Sequence, residues 1–106
     1  MYEPGRSREL AGHYLGLANS TRIRIVEVLA RVAEINVNDL AQQLHMSQPR
    51  VSWHLRMLRL ARVVSTRRDG REVFCSLDRT SLARYHDLFL DLTSGALTEE
   101  SSEVIA

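Results

Sequence analysis

Ser47-Gln48-Pro49-Arg50-Val51-Ser52-Trp53-His54-Leu55-Arg56-Met57-Leu58 is the stretch that decides the fold. Ser47 is a good N-cap, because its hydroxyl can accept from a backbone N–H left free by the first helical turn. Pro49 sits in that first turn, where its missing N–H is no loss. Val51, Leu55 and Leu58 recur at helical spacing and predict an inward stripe. Gln48, Ser52, Trp53 and Arg56 are left facing outward or sideways. Just upstream, His45-Met46-Ser47 reads as a tight turn, and before it Asn36 caps a short helix, residues 37–44, with Asp39 in its first turn. A short helix, a tight turn and a longer capped helix make a helix-turn-helix, whose second helix is suited to the major groove of DNA.

Downstream, the period changes from helical to strand-like. Residues 62–67 and 72–77 flank Asp69-Gly70, which predicts a hairpin with a type I′ turn. Arg67, Arg68 and Arg71 cluster at its tip. Asp78 caps a last helix over residues 79–94, with Leu82, Tyr85, Phe89 and Leu92 on one face and Gly95 just past its end. Upstream, Leu10, Tyr14, Leu15 and Leu17 or Ala18 predict a first helix over 8–18, and Ser20 caps a second, to about residue 32, striped by Ile23, Val26, Leu29 and Ala30 and widened by Ile25 and Val28. The order is α-α-α-α-β-β-α, a mainly helical winged helix-turn-helix.

At 106 residues the chain holds one domain, read as an arm (1–7), a DNA-binding and dimerisation domain (8–94) and an acidic tail (95–106). Composition is that of a globular protein, 44% hydrophobic and 25% charged. No apolar run approaches the ~18 residues of a membrane span, and the first residues lack the apolar core of a signal peptide, so a cytoplasmic location is expected. The single Cys75 cannot form an internal disulfide and reads as a small packed side chain. A net charge of +1 hides a polarity. From His45 to Arg71 there are seven arginines against one acid, Asp69, whereas residues 86–106 carry five acids and no Arg or Lys. The basic pole suits a polyanion. Ser47, Gln48, Arg50, Ser52, Trp53, Arg56, Arg67, Arg68 and Arg71 are the candidate DNA contacts: Gln can pair bidentately with adenine, Trp53 can touch a thymine methyl or sugar, and the hairpin arginines suit the backbone or minor groove. No Gly-rich phosphate loop, nucleophile elbow or carboxylate pair with a general acid suggests an enzyme. A winged-helix module that binds protein instead is the rival reading.

The sequence resembles the ArsR–SmtB family of bacterial repressors from about Leu10 to Phe89. The resemblance rests on Leu17-Ala18-Asn19-Ser20-Thr21-Arg22-Ile23-Arg24-Ile25, Val37-Asn38-Asp39-Leu40-Ala41, the stretch from Ser47 to Leu58, and Asp69-Gly70-Arg71-Glu72-Val73-Phe74-Cys75-Ser76-Leu77. It implies a homodimer joined through first and last helices, where Leu10, Tyr14, Leu17, Leu82, Tyr85 and Phe89 would meet a second copy. It also implies two recognition helices on an imperfect palindromic operator, with Gln48, Ser52 and Trp53 at base-contacting positions, and an effector that changes affinity. The family's third-helix thiolate pattern, Cys-x-Cys-Asp-Leu, falls on Asn36-Val37-Asn38-Asp39-Leu40, where both cysteine positions carry asparagine. Its last-helix metal pattern falls on Arg79 with Ser81 and Leu92 with Gly95, none of them a ligand. What remains for nickel or zinc is an unusual site made by His13, His86 and Asp87 across the dimer. A protein co-regulator docking on the acidic pole is the other source of a signal.

Overall fold

The computed structural model describes residues 4–98, with side chains from 5 to 95. The order is α1 (Pro4–Leu17), α2 (Ser20–Leu29), β1 (Ile35–Asn36), α3 (Val37–Leu44), α4 (Gln48–Leu60), β2 (Val64–Asp69), β3 (Glu72–Leu77) and α5 (Arg79–Thr98). This is the mainly helical winged helix-turn-helix expected, with one strand added. β1 pairs antiparallel with β3, setting Ile35 opposite Cys75 and Asn36 opposite Phe74, so the sheet runs β1-β3-β2. Two residues are too short to show a period in sequence; β1 exists because the free edge of β3 supplies the partners for its backbone. No described helix is long and apolar enough to cross a membrane.

The core lies where α2, α3 and α4 meet the sheet. Ile25, Leu29, Leu40, Val51, Leu58, Val63 and Cys75 are fully buried there. Val51, Leu55 and Leu58 of α4 point inward as their spacing predicts. The α2 stripe is shifted from expectation: Ile25 and Leu29 are buried and Ile23 is exposed. Ile25 and Leu29 stand at i and i+4 on the face that meets the core, and the cap moves by one residue, since Asn19, not Ser20, accepts from the Arg22 N–H at 3.1 Å.

Other boundaries moved for physical reasons. α1 begins at Pro4, so residues 4–7 of the expected arm are helical; a proline in the first helical position forgoes an N–H that has no partner anyway. α5 continues through Gly95 to Thr98 rather than stopping at residue 94, since glycine permits a left-handed stop without requiring one. Residues 99–106 of the acidic tail lie outside the described residues. In the hairpin Asp69 pairs with Glu72, so the two loop residues are Gly70 and Arg71. Only Gly70 has positive φ (65°), the signature of a glycine-first II′ turn rather than the expected I′.

Both helices of the helix-turn-helix end in the same way, and neither ends on glycine. At α3 the N–H groups of His45 and Met46 donate to Gln42 and Ala41; at α4 those of Arg62 and Val63 donate to Arg59 and Leu58. These paired bonds are Schellman closures around His45 (φ 55°) and Arg62 (φ 63°). A side chain held left-handed costs roughly 1 kcal/mol. α1 crosses the end of α4 at Gly16, where an added Cβ would lie 2.3 Å from the Ala61 Cβ.

Two substitutions should move stability in opposite directions. Arg62→Gly relieves the left-handed strain and should raise unfolding free energy in urea by about 0.5–1 kcal/mol. Gly16→Ala forces α1 off α4 and should lower it by about 1–3 kcal/mol. A neutral Gly16→Ala would mean that this crossing is looser than 2.3 Å implies.

Candidate nucleic-acid interface

α4 is seated by its three buried apolar residues, which leaves one long face open. Ser47 Oγ accepts from the Arg50 N–H at 3.4 Å and starts the helix. No acid sits in the first turn, so the positive end of the helix dipole meets no negative side chain there and is available to a phosphate. Gln48 and Ser52 follow at i and i+4, joined by a 3.0 Å bond from Gln48 Nε2 to Ser52 Oγ, with the exposed Arg56 one turn further on. Trp53 is 53% exposed; it stands out from the helix instead of folding sideways onto the domain.

The wing meets this face across a groove of about 240 Å³, bordered by Gln48, Ser52, Arg56, Arg59, Thr66 and Val73. Side chains alternate along a strand. Val64, Thr66 and Arg68 therefore share one face of β2, and Ser65, Arg67 and Asp69 the other. The first face looks toward α4, as the 3.2 Å bond from Arg59 Nη1 to Thr66 Oγ1 shows. Arg68 shares that face and Arg71 sits in the exposed loop.

Arg67 is placed differently from the expected backbone contact. It points to the outer face, clasps Glu34 bidentately at 2.6 and 2.7 Å and lies over the Phe74 ring at 4.6 Å. The guanidinium lowers the Glu34 carboxyl from its ordinary value, chiefly by hydrogen bonding. Arg67 thus ties the wing to the segment before β1. Arg59, absent from the candidates chosen by sequence, takes a place in the groove. The spacing 48, 52, 56, 59 carried that signal, since it continues one helical face.

A second polar link runs behind α4. Arg22 of α2 donates through Nε to His54 Nδ1 at 3.2 Å and through Nη1 to the Gly16 carbonyl at 3.3 Å. The acceptor role requires an unprotonated Nδ1. Partial burial, then the charges of Arg22 and Arg50, push the His54 pKa below the usual histidine value.

Within one chain the proposed metal residues do not gather into one cluster. His13 is buried, stacks on Tyr85 at 4.1 Å between ring centroids and donates from Nδ1 to the Ala61 carbonyl at 2.7 Å. His86 and Asp87 are exposed on α5. Asn36, at the first thiolate position, caps α3 through the Asn38 N–H and donates to Glu72, so it is a structural residue. Among the described residues no three His, Cys, Asp or Glu side chains cluster as a metal would need. The residues present do not fit the family's thiolate or last-helix sites. Burial pushes the Cys75 thiol up to about 11, and its Sγ packs against the Ile35 carbonyl.

The residues expected at a dimer interface divide. Leu10 and Tyr85 are already buried within one chain, and Tyr14, Leu17 and Leu82 are half-buried. Phe89 is 45% exposed, with Leu90 and Leu92 beyond it on α5 and Leu15 exposed on α1.

The family described as "Bacterial regulatory protein, arsR family" matches residues 19–66. The HTH-type transcriptional regulator KmtR of Mycobacterium tuberculosis is 47% identical over 62 residues, 58% of this chain and 47% of that protein. The transcriptional repressor SdpR of Bacillus subtilis is 30% identical over 69 residues, 65% of this chain and 76% of that one. The chain spans about half the length of the first curated relatives it matches. A solved homodimeric winged helix-turn-helix DNA-binding domain, Mb0332 of Mycobacterium bovis, superposes with a TM-score of 0.67 at 26% identity, covering 85% of this chain and 82% of that one.

The Arg22–His54 link predicts a pH signature. Because the folded state resists protonation of His54, the unfolded chain binds the proton first as pH falls. Stability should therefore drop as pH passes below about 6.5, with the loss complete below the lowered folded value. His54→Gln keeps an acceptor for Arg22 without titrating. The difference in melting temperature between pH 7.5 and 5.5 should be smaller in His54→Gln than in the parent chain; equal differences would assign the titration to another group.

Proposed function

The chain belongs to the arsR family of bacterial regulatory proteins, and on that premise we propose that it binds double-stranded DNA as a homodimer and represses transcription. One observation carries this reading: a capped helix with no acid in its first turn presents Gln48, Ser52 and Arg56 outward, beside a wing whose α4-facing side carries Arg68. Gln48 and Ser52, with Trp53 beside them, are the base-reading candidates. Ser47 and Arg50 at the helix start, with Arg56, Arg59, Arg68 and Arg71, would hold phosphates. Arg67 supports the wing from behind through Glu34.

The exposed Phe89, Leu90 and Leu92 of α5 support pairing that involves the last helix, and the homodimeric solved relative supports a dimer. Two recognition helices in one dimer would sit about one DNA turn, ~34 Å, apart on an imperfect palindrome. Nickel or zinc as effector draws no support from a ligand cluster, since among the described residues no three His, Cys, Asp or Glu side chains gather in one chain. The reading is a regulator, not an enzyme, and on α5 the exposed Asp87, with Asp91 paired to Arg6 at 3.7 Å, is where a protein co-regulator would dock.

Fluorescence anisotropy with the DNA upstream of its own gene tests this. Log affinity should fall with log salt, and Arg68→Ala should flatten the slope by about 0.9. Arg67→Ala should weaken binding while leaving the slope within error of the parent, because it supports the wing without touching phosphate. Salt-insensitive binding would favour a protein-interaction module instead. Gln48→Ala should relax sequence preference more than it lowers affinity for random duplex. Adding nickel or zinc after chelator should leave affinity unchanged within twofold; a tenfold shift, about 1.4 kcal/mol of coupling, would make His13, His86 and Asp87 the residues to mutate.

A further inference from the structure

Behind the recognition helix lies a second groove, of about 420 Å³, between α1, the end of α4 and α5. Its size is that of a small-molecule site. Leu15, Met57 and Leu60 form an apolar wall, and Leu15 and Leu60 are 73% and 70% exposed. Gly12 opens the floor: an added Cβ would meet nothing within 4 Å, so no packing or backbone reason calls for glycine in the middle of α1. An interior helical glycine is otherwise unfavourable, and its effect here is to keep the groove wide.

The rim is cationic. Arg8, Arg22 and Arg62 line the groove, with Glu9 the single acid among its lining residues. Glu9 lies 4.0 Å from Arg84, which offsets its charge. The guanidiniums of Arg8 and Arg62 have no hydrogen bond or ion pair among the described residues. Arg62 is also the residue held left-handed where glycine would be unstrained, and strain of this kind collects at functional positions. His13, nine-tenths buried in the same wall, uses Nδ1 on Ala61; its Nε2 has no protein partner among the described residues. An apolar trough with unpaired guanidiniums at its edge is complementary to an organic acid with an apolar body.

The geometry points to this groove as an effector site for a small amphipathic carboxylate, read out through Arg22. That side chain lines the groove and at the same time holds His54 on α4 and the Gly16 carbonyl on α1. A carboxylate that draws the Arg22 guanidinium toward itself loosens its hold on the recognition helix. Arg62 clamps the acid at the other end, directly after α4. The effector role rests on the DNA-binding reading above; the binding site does not.

The test uses 4-phenylbutyrate and its uncharged amide as probes on the full chain. Isothermal titration should give binding of the acid at least tenfold tighter than the amide. Arg62→Gly, which relieves strain, and Gly12→Leu, which fills open space, should each weaken the acid at least tenfold while keeping a cooperative melt. Equal binding of acid and amide, no binding of either, or indifference to both variants would overturn the site. Loss of dimer in Gly12→Leu by sedimentation, without acid binding in the parent, would assign the groove to a second copy of the chain instead. Operator affinity measured with saturating acid should change at least threefold in the parent and less in Arg22→Gln. Acid binding with unchanged operator affinity would remove the effector role and leave the site; acid binding by a chain that binds no duplex would remove the DNA reading and leave the site.

Discussion

The seating of α4 through Val51, Leu55 and Leu58 is the contact on which the rest of the structure depends. These side chains are buried against Ile25, Leu29, Leu40, Val63 and Cys75, so the rotation of the helix about its axis is set by apolar packing. Once that rotation is set, every other residue of the helix has its direction. Gln48, Ser52, Arg56 and Arg59 must look toward the wing, Trp53 must stand clear, and His54 must turn back toward α2. The polar face is a consequence of the apolar one.

The wing depends on a different kind of contact. Its core-facing residues, Val64, Thr66, Val73 and Cys75, continue the hydrophobic layer, but a hairpin of two six-residue strands is marginal alone. β1 adds a third strand on one edge, and the Glu34–Arg67 clasp pins the outer face to the segment that precedes it. An exposed ion pair contributes little to folding stability. Its value here lies in direction, since a wing held at one angle keeps Arg68 and Arg71 beside the recognition helix. The same logic applies to Arg22, which bonds to α1 and α4 from α2 and so makes their relative placement specific.

Two arginines of the same basic stretch, five residues apart, have opposite fates. Arg62 is held left-handed, its guanidinium without a partner among the described residues, and Arg67 is clasped by Glu34. Charge counted along the chain cannot separate them. The count of seven arginines against one acid between His45 and Arg71 correctly located the basic pole. It could not say that one of the seven is neutralised by Glu34, because Glu34 lies outside that stretch and meets Arg67 only when β1 joins the sheet.

By itself the sequence determined what local physics controls. Ser47, Asn36 and Asp78 cap where short polar side chains can reach free N–H groups, and the period-3.6 stripe of α4 and the strand-like run after it hold in the structure. Nearly all of the helix-turn-helix was therefore legible, including its outward face. Tertiary structure alone decided what depends on residues far apart. β1 forms only against β3; His13 is held by Ala61 and Tyr85 within its own chain; Arg67 goes to Glu34. The second groove needs α1, α4 and α5 to converge, with Gly16 pressed on Ala61 to bring them close. Caps and periods are read within one turn of chain, whereas partners of charge and shape across 30 or more residues exist only once the backbone has closed on itself.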